Sequence, residues 1–289
     1  MNIIARIHLK TLLISFVCLS VFITQAAYAQ STITMGVHPY KSPQKLLSIY
    51  QPLANHLAER LGKPVELVIA KDYSTHINNI GGDVLDIAYL GPASYVKMVE
   101  KYGLKRILAR QAISGKPTFQ GKIITSTGSS ITSLQQLKGK RFAFGDPDST
   151  MSHLVPRYML IENGVNASNL KGFYFLGSHD NVALGVLAGD YDAGAVKEAV
   201  YHKYRLRGMR ALATTPALSE HLFVASNRLA PSIVNIIKET FMGLSNTDRG
   251  MKILKNIKPK MTGFSPAKDS DYDNLREILY TLKSNKVIK

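Results

Sequence analysis

Cysteine occurs once in this 289-residue chain and tryptophan not at all. The one cysteine, Cys18, lies in an uncharged apolar run near the N-terminus, "TLLISFVCLSVFIT". Past that run there is no thiol, which excludes a disulfide framework and a cysteine nucleophile. G-x-S-x-G, H-E-x-x-H and a P-loop are also missing. His38, His56, His76, His153, His179, His202 and His221 show no spacing typical of metal ligands, so no metal or other cofactor is implied. A nucleophile–base pair would need Ser149 or Ser152 with His153. Residues that close in one helix start converge poorly, so the chain reads as a non-enzyme.

Acids are scarce as well: 20 Asp and Glu stand against 36 Lys and Arg, a formal charge of +16. Such an excess draws anions and anionic surfaces. The basic residues are scattered, with no basic run and no aromatic-rich basic motif, which argues against nucleic acid.

The first 29 residues carry Arg6 and Lys10, no acid, the apolar run, and then Ala27-x-Ala29. That is the order of a secretory signal. The apolar run is shorter than the ~20 residues needed to span a bilayer, and "SFVC" lacks the small residues that precede a lipidated cysteine. Cleavage after Ala29 is expected, leaving an exported, soluble chain. Setting aside Arg6 and Lys10, it keeps 34 basic residues against 20 acidic ones.

Strand and helix patterns alternate along the rest. "TITMGV", "VELVIA", "DIAYL" and "KRILAR" read as strands, with helices over "SPQKLLSIYQPLANHLAERLG" and "GPASYVKMVEKYG". A second series has strands at "GKIITS", "KRFAFG", "GFYFLG" and "YDAGAV". Its helices fall over "SLQQL", Ser149 to Asn163, "SHDNVALGVLAGD" and "KEAVYHKY". After "RALATT" and "HLFVAS", helices at "SIVNIIKETFMGL" and "DYDNLREILYTLK" form a tail joined by "KPKMTGF". Alternation of this kind predicts an α/β fold of mainly parallel sheets flanked by helices. Two series with a short tail predict two lobes: residues 30–118 with 213–289, and residues 119–212. The crossings are expected near 118–122 and 211–216.

In open α/β sheets, ligands bind beyond the carboxyl ends of the strands. "VHPYKS", "AKDYS", "AYLGPAS", "FGDPDSTMS" and "LGSHDN" fall there. In "GDPDSTMSHLVP" a helix opens with Ser149, Thr150, Met151 and Ser152, whose free amides and positive dipole end could hold an anion. Simple capping by Asp148 or Ser149 fits the same residues. A second strand-to-helix junction places Ser178, His179 and Asp180, with Asp192 opening the next strand. A histidine can donate to an oxyanion, whereas an ionised aspartate only accepts. An aspartate in such a site would favour a protonated oxyacid or a ligand amine.

The ordered set "KDY", "DIAYLGPASYV", "SLQQLKGKRFAF", "FGDPDSTMSHLVP" and "GSHDNVALGVLAGDYDAGAV" resembles the periplasmic phosphonate/phosphite-binding proteins of ABC transporters. The resemblance runs from about Thr32 to Lys203. It implies a two-lobed type II periplasmic binding protein without catalytic activity. Such a protein closes over a small phosphorus oxyanion and delivers it to a membrane ABC permease, with a monomer expected. A sensor subunit serving a membrane kinase or cyclase would use the same fold. Carried over, the resemblance implies ligand contacts from Tyr73, Tyr89, Phe119, Ser149, Thr150, Met151, His179, Asp180 and Asp192. Met151 stands where the family has a hydroxyl, Ser152 where it has glycine, and Phe119 where it has tyrosine. Each hydrogen bond lost to a charged ligand costs about 1.5–3 kcal/mol, and Ser152 could supply a replacement hydroxyl.

Overall fold

A computed structural model describes residues 32–288. The leader, its cleavage site and Cys18 lie outside the described residues. The strands are β1 (Ile33–Val37), β2 (Val65–Ile69), β3 (Ile87–Leu90), β4 (Arg106–Ile113), β5 (Thr118–Phe119), β6 (Gly121–Ser126) and β7 (Arg141–Phe144). They continue as β8 (Gly172–Phe175), β9 (Ala193–Lys197), β10 (Met209–Thr214), β11 (Leu218–Ser219), β12 (Leu222–Ala225) and β13 (Met261–Ser265). The α-helices are α1 (Pro43–Leu61), α2 (Tyr73–Gly81), α3 (Pro92–Tyr102), α4 (Val155–Glu162) and α5 (His179–Ala188). The remaining four are α6 (Glu198–Tyr204), α7 (Pro231–Gly243), α8 (Asp248–Ile257) and α9 (Asp273–Ser284).

Two sheets organise the molecule. One has the order β13-β4-β12-β3-β1-β2 and the other β10-β6-β9-β7-β8, here lobe 1 and lobe 2. A two-stranded ribbon of β5 and β11, with Phe119 opposite Leu218, runs between them. Neither sheet is mainly parallel. β1, β2 and β3 run parallel, as do β7, β8 and β9, but β12 and β6 enter antiparallel. The reason is topological. Each of these strands arrives from the opposite lobe and meets its new sheet at the carboxyl ends of the resident strands, so it must run the other way.

Each sheet is covered on both faces. In lobe 1, Leu46, Tyr50, Leu53 and Leu57 of α1 pack with Ile237 and Phe241 of α7 and Leu254 of α8. The opposite face takes Ile77 and Ile80 of α2, Tyr95 and Met98 of α3, and Leu275 and Leu279 of α9. The tail is therefore part of lobe 1, and α9 also touches α4 of lobe 2. The proline inside α1 is compensated from that tail. Pro52 cannot donate to the Ser48 carbonyl, and Asn256 Nδ2 donates there instead, at 3.2 Å.

Helices α2 and α8, and strand β13, are additions to the elements read from sequence. In α2, Asp72 caps the Thr75 amide at 2.7 Å, a polar start that reads as loop until Ile77 and Ile80 find their burial. The helix expected from Ser149 to Asn163 begins instead as a π-turn, Thr150–Leu154, before α4. Pro156 explains it. Lacking an N–H, it cannot bond Ser152 O, which accepts from Gly145 N at 3.1 Å, while the Val155 amide reaches back to Thr150 O.

Candidate anion site between the lobes

The π-turn presents its leading end to lobe 1. Ser149 is the N-cap, and its Oγ accepts from the Ser152 amide at 3.2 Å. The amides of His153 and Leu154 both donate to Ser149 O. The amides of Thr150 and Met151 have no partner among the described residues. Thr150 Oγ1 accepts from the Ala93 amide of lobe 1 at 3.2 Å, so the two lobes touch at this point. His153 Nδ1 donates to Pro147 O at 2.7 Å and holds the preceding loop; it contacts neither serine hydroxyl.

Opposite the π-turn, lobe 1 contributes rings. His38, just past the end of β1, is 3% exposed, and its Nδ1 has no hydrogen-bond partner among the described residues. Its ring lies 5.1 Å from Tyr40, Tyr73 and Tyr89 and 5.5 Å from His221. Phe119 closes on His221 at 5.4 Å. Gly91, the residue before α3, leaves a gap between the imidazoles: a Cβ there would sit 3.6 Å from both His38 Nδ1 and His221 Nε2.

His221 is held by its chain neighbour. Glu220 accepts from the His221 amide at 2.8 Å and from its Nδ1 at 2.6 Å, and pairs with Lys258 at 3.2 Å. Burial alone would raise the Glu220 carboxyl, but Lys258 and His221 outweigh it and hold the group well below the usual carboxylate range. Burial, then Lys258, lowers His221 itself, against the pull of Glu220. Burial chiefly lowers His38 too, helped by the neighbouring His221 and His76.

From lobe 2, His179 accepts at Nδ1 from the Lys197 amide, 3.0 Å away. That bond leaves Nε2 carrying the proton. Burial and then Lys197 push the imidazole down to about 3, so at neutral pH it is an uncharged N–H donor. Lys197 ends β9, and burial, then Lys258 and Lys41, lower its ammonium to about 8.

Several residues named from the sequence lie elsewhere or are engaged. Asp192 opens β9 and accepts from the Arg141 amide at 2.7 Å, at the amino ends of β9 and β7. The cleft lies at the other end of the strand, about 16 Å away at the usual rise per residue, so Asp192 is not a cleft residue. Ser152 Oγ donates to the carbonyl of Ala195 in β9 at 2.5 Å, so its hydroxyl is already engaged within lobe 2. Met151 is 1% exposed, and its sulfur accepts from Thr215 Oγ1 at 3.4 Å. Asp180 is engaged by Lys203 at 2.5 Å and Tyr204 at 2.8 Å. Tyr89 lies 1% exposed in lobe 1 with its hydroxyl on Gln111 at 3.1 Å, so it offers a ring rather than a donor. Tyr73 opens α2 beside His38; burial, then the charges of Asp146 and Asp148, raises its phenol, which stays protonated.

Sequence reasoning did not single out Lys197, Lys41, Lys258, His38 or the Glu220–His221 pair as site residues, although the segment holding His38 and Lys41 was placed at the carboxyl end of its strand. His38, Lys41 and Lys197 each follow or close a strand at its carboxyl end, which is the signal that could have found them. Nothing in the local sequence around Lys258 or Glu220 carries such a signal.

Comparison with known proteins places this geometry in context. A family model described as "ABC transporter, phosphonate, periplasmic substrate-binding protein" matches residues 35–272. A phosphate-import protein from Mycolicibacterium smegmatis is 27% identical, over 91% of this chain and 89% of its own. A binding protein component of an ABC phosphonate transporter from Pseudomonas aeruginosa superposes with a TM-score of 0.76 at 24% identity, covering 89% of this chain and 88% of its own. A Prochlorococcus marinus protein in complex with methylphosphonate gives 0.76 at 23% identity, covering 87% of this chain and 98% of its own.

Proposed function

The chain belongs to the periplasmic phosphonate substrate-binding protein family of ABC transporters, and on that premise we propose that it captures a small phosphorus oxyanion between its lobes for a membrane permease. One observation carries the reading: the partnerless Thr150 and Met151 amides start a helical run and face lobe 1. An oxyanion there meets aligned N–H groups and the positive end of the helix dipole. The His179 Nε2–H and the Tyr73 hydroxyl supply further neutral donors. His38, His221, Lys41, Lys197 and Lys258 complete the lining. The methylphosphonate bound by the Prochlorococcus relative and the phosphate import named for the Mycolicibacterium one support this ligand class.

The hinge in this reading is the β5–β11 ribbon with its flanking crossings; the first division falls at residues 118–119, and the second falls after Thr214 rather than at 212–213, because β10 runs to Thr214 within the lobe 2 sheet. Only the closed form touches the ligand from both sides, so ligand shifts the open–closed equilibrium towards it. The protein works in the periplasm as a monomer after loss of residues 1–29, and it performs no chemistry on its cargo.

A thermal-shift and calorimetry screen against phosphate, phosphite, methylphosphonate, 2-aminoethylphosphonate and sulfate tests the proposal. At least one phosphorus oxyanion should stabilise the protein and bind stoichiometrically. Indifference to all of them would overturn it.

A further inference from the structure

Lys197 begins its side chain where lobe 2 meets the first crossing. Its Cα is paired with Gly121, and the next amide, that of Glu198, donates to Gln120 O. The charged groups facing it come from four other segments. They are Lys41 after β1, Lys258 after α8, Glu220 on the second crossing, and Asp180 on α5. His179 takes the Lys197 amide at Nδ1, and the His221 ring, 5.5 Å from that of His38, is held by the same Glu220 that pairs with Lys258.

The two carboxylates are already engaged. Glu220 holds Lys258 and His221, and Asp180 holds Lys203 and Tyr204. Neither Lys197 nor Lys41 forms an ion pair with any described residue; Lys41 only lies over the Tyr40 ring, 5.9 Å from its centroid. With Asp180 answered by Lys203, three lysines face the cleft against the single carboxylate of Glu220. Two positive charges are thus left without a partner, in a space where the imidazoles stay neutral. The aspartate expected to favour a protonated oxyacid or an amine sits at the far end of β9, and an ammonium occupies the cleft end instead.

We propose that Lys197 determines specificity by reading the second negative charge of the captured oxyanion, so that the site selects dianions and rejects ligands carrying an ammonium group. The inference rests on the phosphorus-oxyanion reading above and assigns its charge preference. An unpaired, half-buried ammonium gains most from a ligand that brings compensating charge, and it repels a second cation through a medium of low effective dielectric.

The test is calorimetry at neutral pH on the whole mature protein with three ligands of related shape. These are methylphosphonate, phosphonoacetate with its extra carboxylate, and 2-aminoethylphosphonate with its ammonium. In the wild type, phosphonoacetate should bind about tenfold or more tighter than 2-aminoethylphosphonate. Lys197→Met, which keeps most of the stem and the amide bond to His179, should weaken methylphosphonate about tenfold. Lys197→Glu should reverse the order of the other two. Methylphosphonate binding with an unchanged preference in both variants would overturn the inference and leave the ligand class standing. Silence of the wild type towards all three would overturn the ligand class and the inference with it.

Discussion

The backbone amide of Ala93 in lobe 1 donates to Oγ1 of Thr150 in lobe 2, over 3.2 Å. Gly91, the N-cap of α3, has no side chain to satisfy that amide, so the cap is supplied from the other lobe. An ion pair between Lys97 of α3 and Asp148 spans the same boundary. Two helix starts, one from each lobe, therefore face a shared gap.

Thr150→Val removes this cross-lobe cap while keeping the shape. A lost cap costs about 0.5–2 kcal/mol, which predicts a two- to thirtyfold weaker affinity, because the contact exists only where the lobes meet. Calorimetry with the best phosphorus ligand reads it. An unchanged affinity would detach this hydrogen bond from capture.

Gly91→Ala should separate folding from binding. The backbone at Gly91, φ −73° and ψ 157°, suits alanine. The new methyl would lie 3.3 Å from His38 Cε1 and within 3.6 Å of His221 Nε2, in the space between the imidazoles. The melting temperature should move by only a few degrees, roughly the effect of 1 kcal/mol. Affinity should fall by about tenfold or more, as for one lost charge-assisted contact. A variant that binds as well as wild type would show that ligand does not use this space.

Asp192→Asn should leave ligand affinity unchanged. The amide keeps an acceptor for the Arg141 N–H, and the exposed pairing with the Arg141 side chain contributes about 1 kcal/mol or less. A tenfold loss of affinity in this variant would return Asp192 to the site.

Acid should destabilise the protein through its buried imidazoles. Burial pushes His76 and His153 down to about 4, against the opposing hydrogen bonds to Tyr89 O and Pro147 O. Their values in the unfolded chain are near ~6.5. The unfolded state therefore takes up more protons between about pH 6.5 and 4. Stability is full above that window and is lost as pH falls through it, with a slope approaching about 1.4 kcal/mol per pH unit per histidine. Urea midpoints measured across the window should show a shallower slope in His153→Asn. An unaltered slope would mean that His153 is not a source of the effect.

The strand and helix alternation was readable because each element carries its own period, caps and stops. α1 shows this with Pro43 at its start and Gly62 in the left-handed conformation at its end. α2 was not readable, because its burial depends on ring and sheet partners remote in the chain. The same limit separates the two ends of β9. Asp192 and Lys197 lie in one short segment, and the motif drew attention to the aspartate. The end of the strand that faces the cleft is the one bearing the lysine.

Local pattern and residue chemistry alone determined an α/β chain in two series, a helix start at Ser149 whose free amides suit an anion or a simple cap, and the ordered motifs that carry the family resemblance. Packing decided the rest. It turned Met151 and Ser152 inward, engaged Asp180 with Lys203, and brought His38, Lys41, Lys197, His221 and Lys258 around one gap. The physical reason is that the effect of a charge or a donor depends on its distance to others and on what excludes water between them. Segments far apart along the chain acquire those distances only when the two sheets are built and brought together.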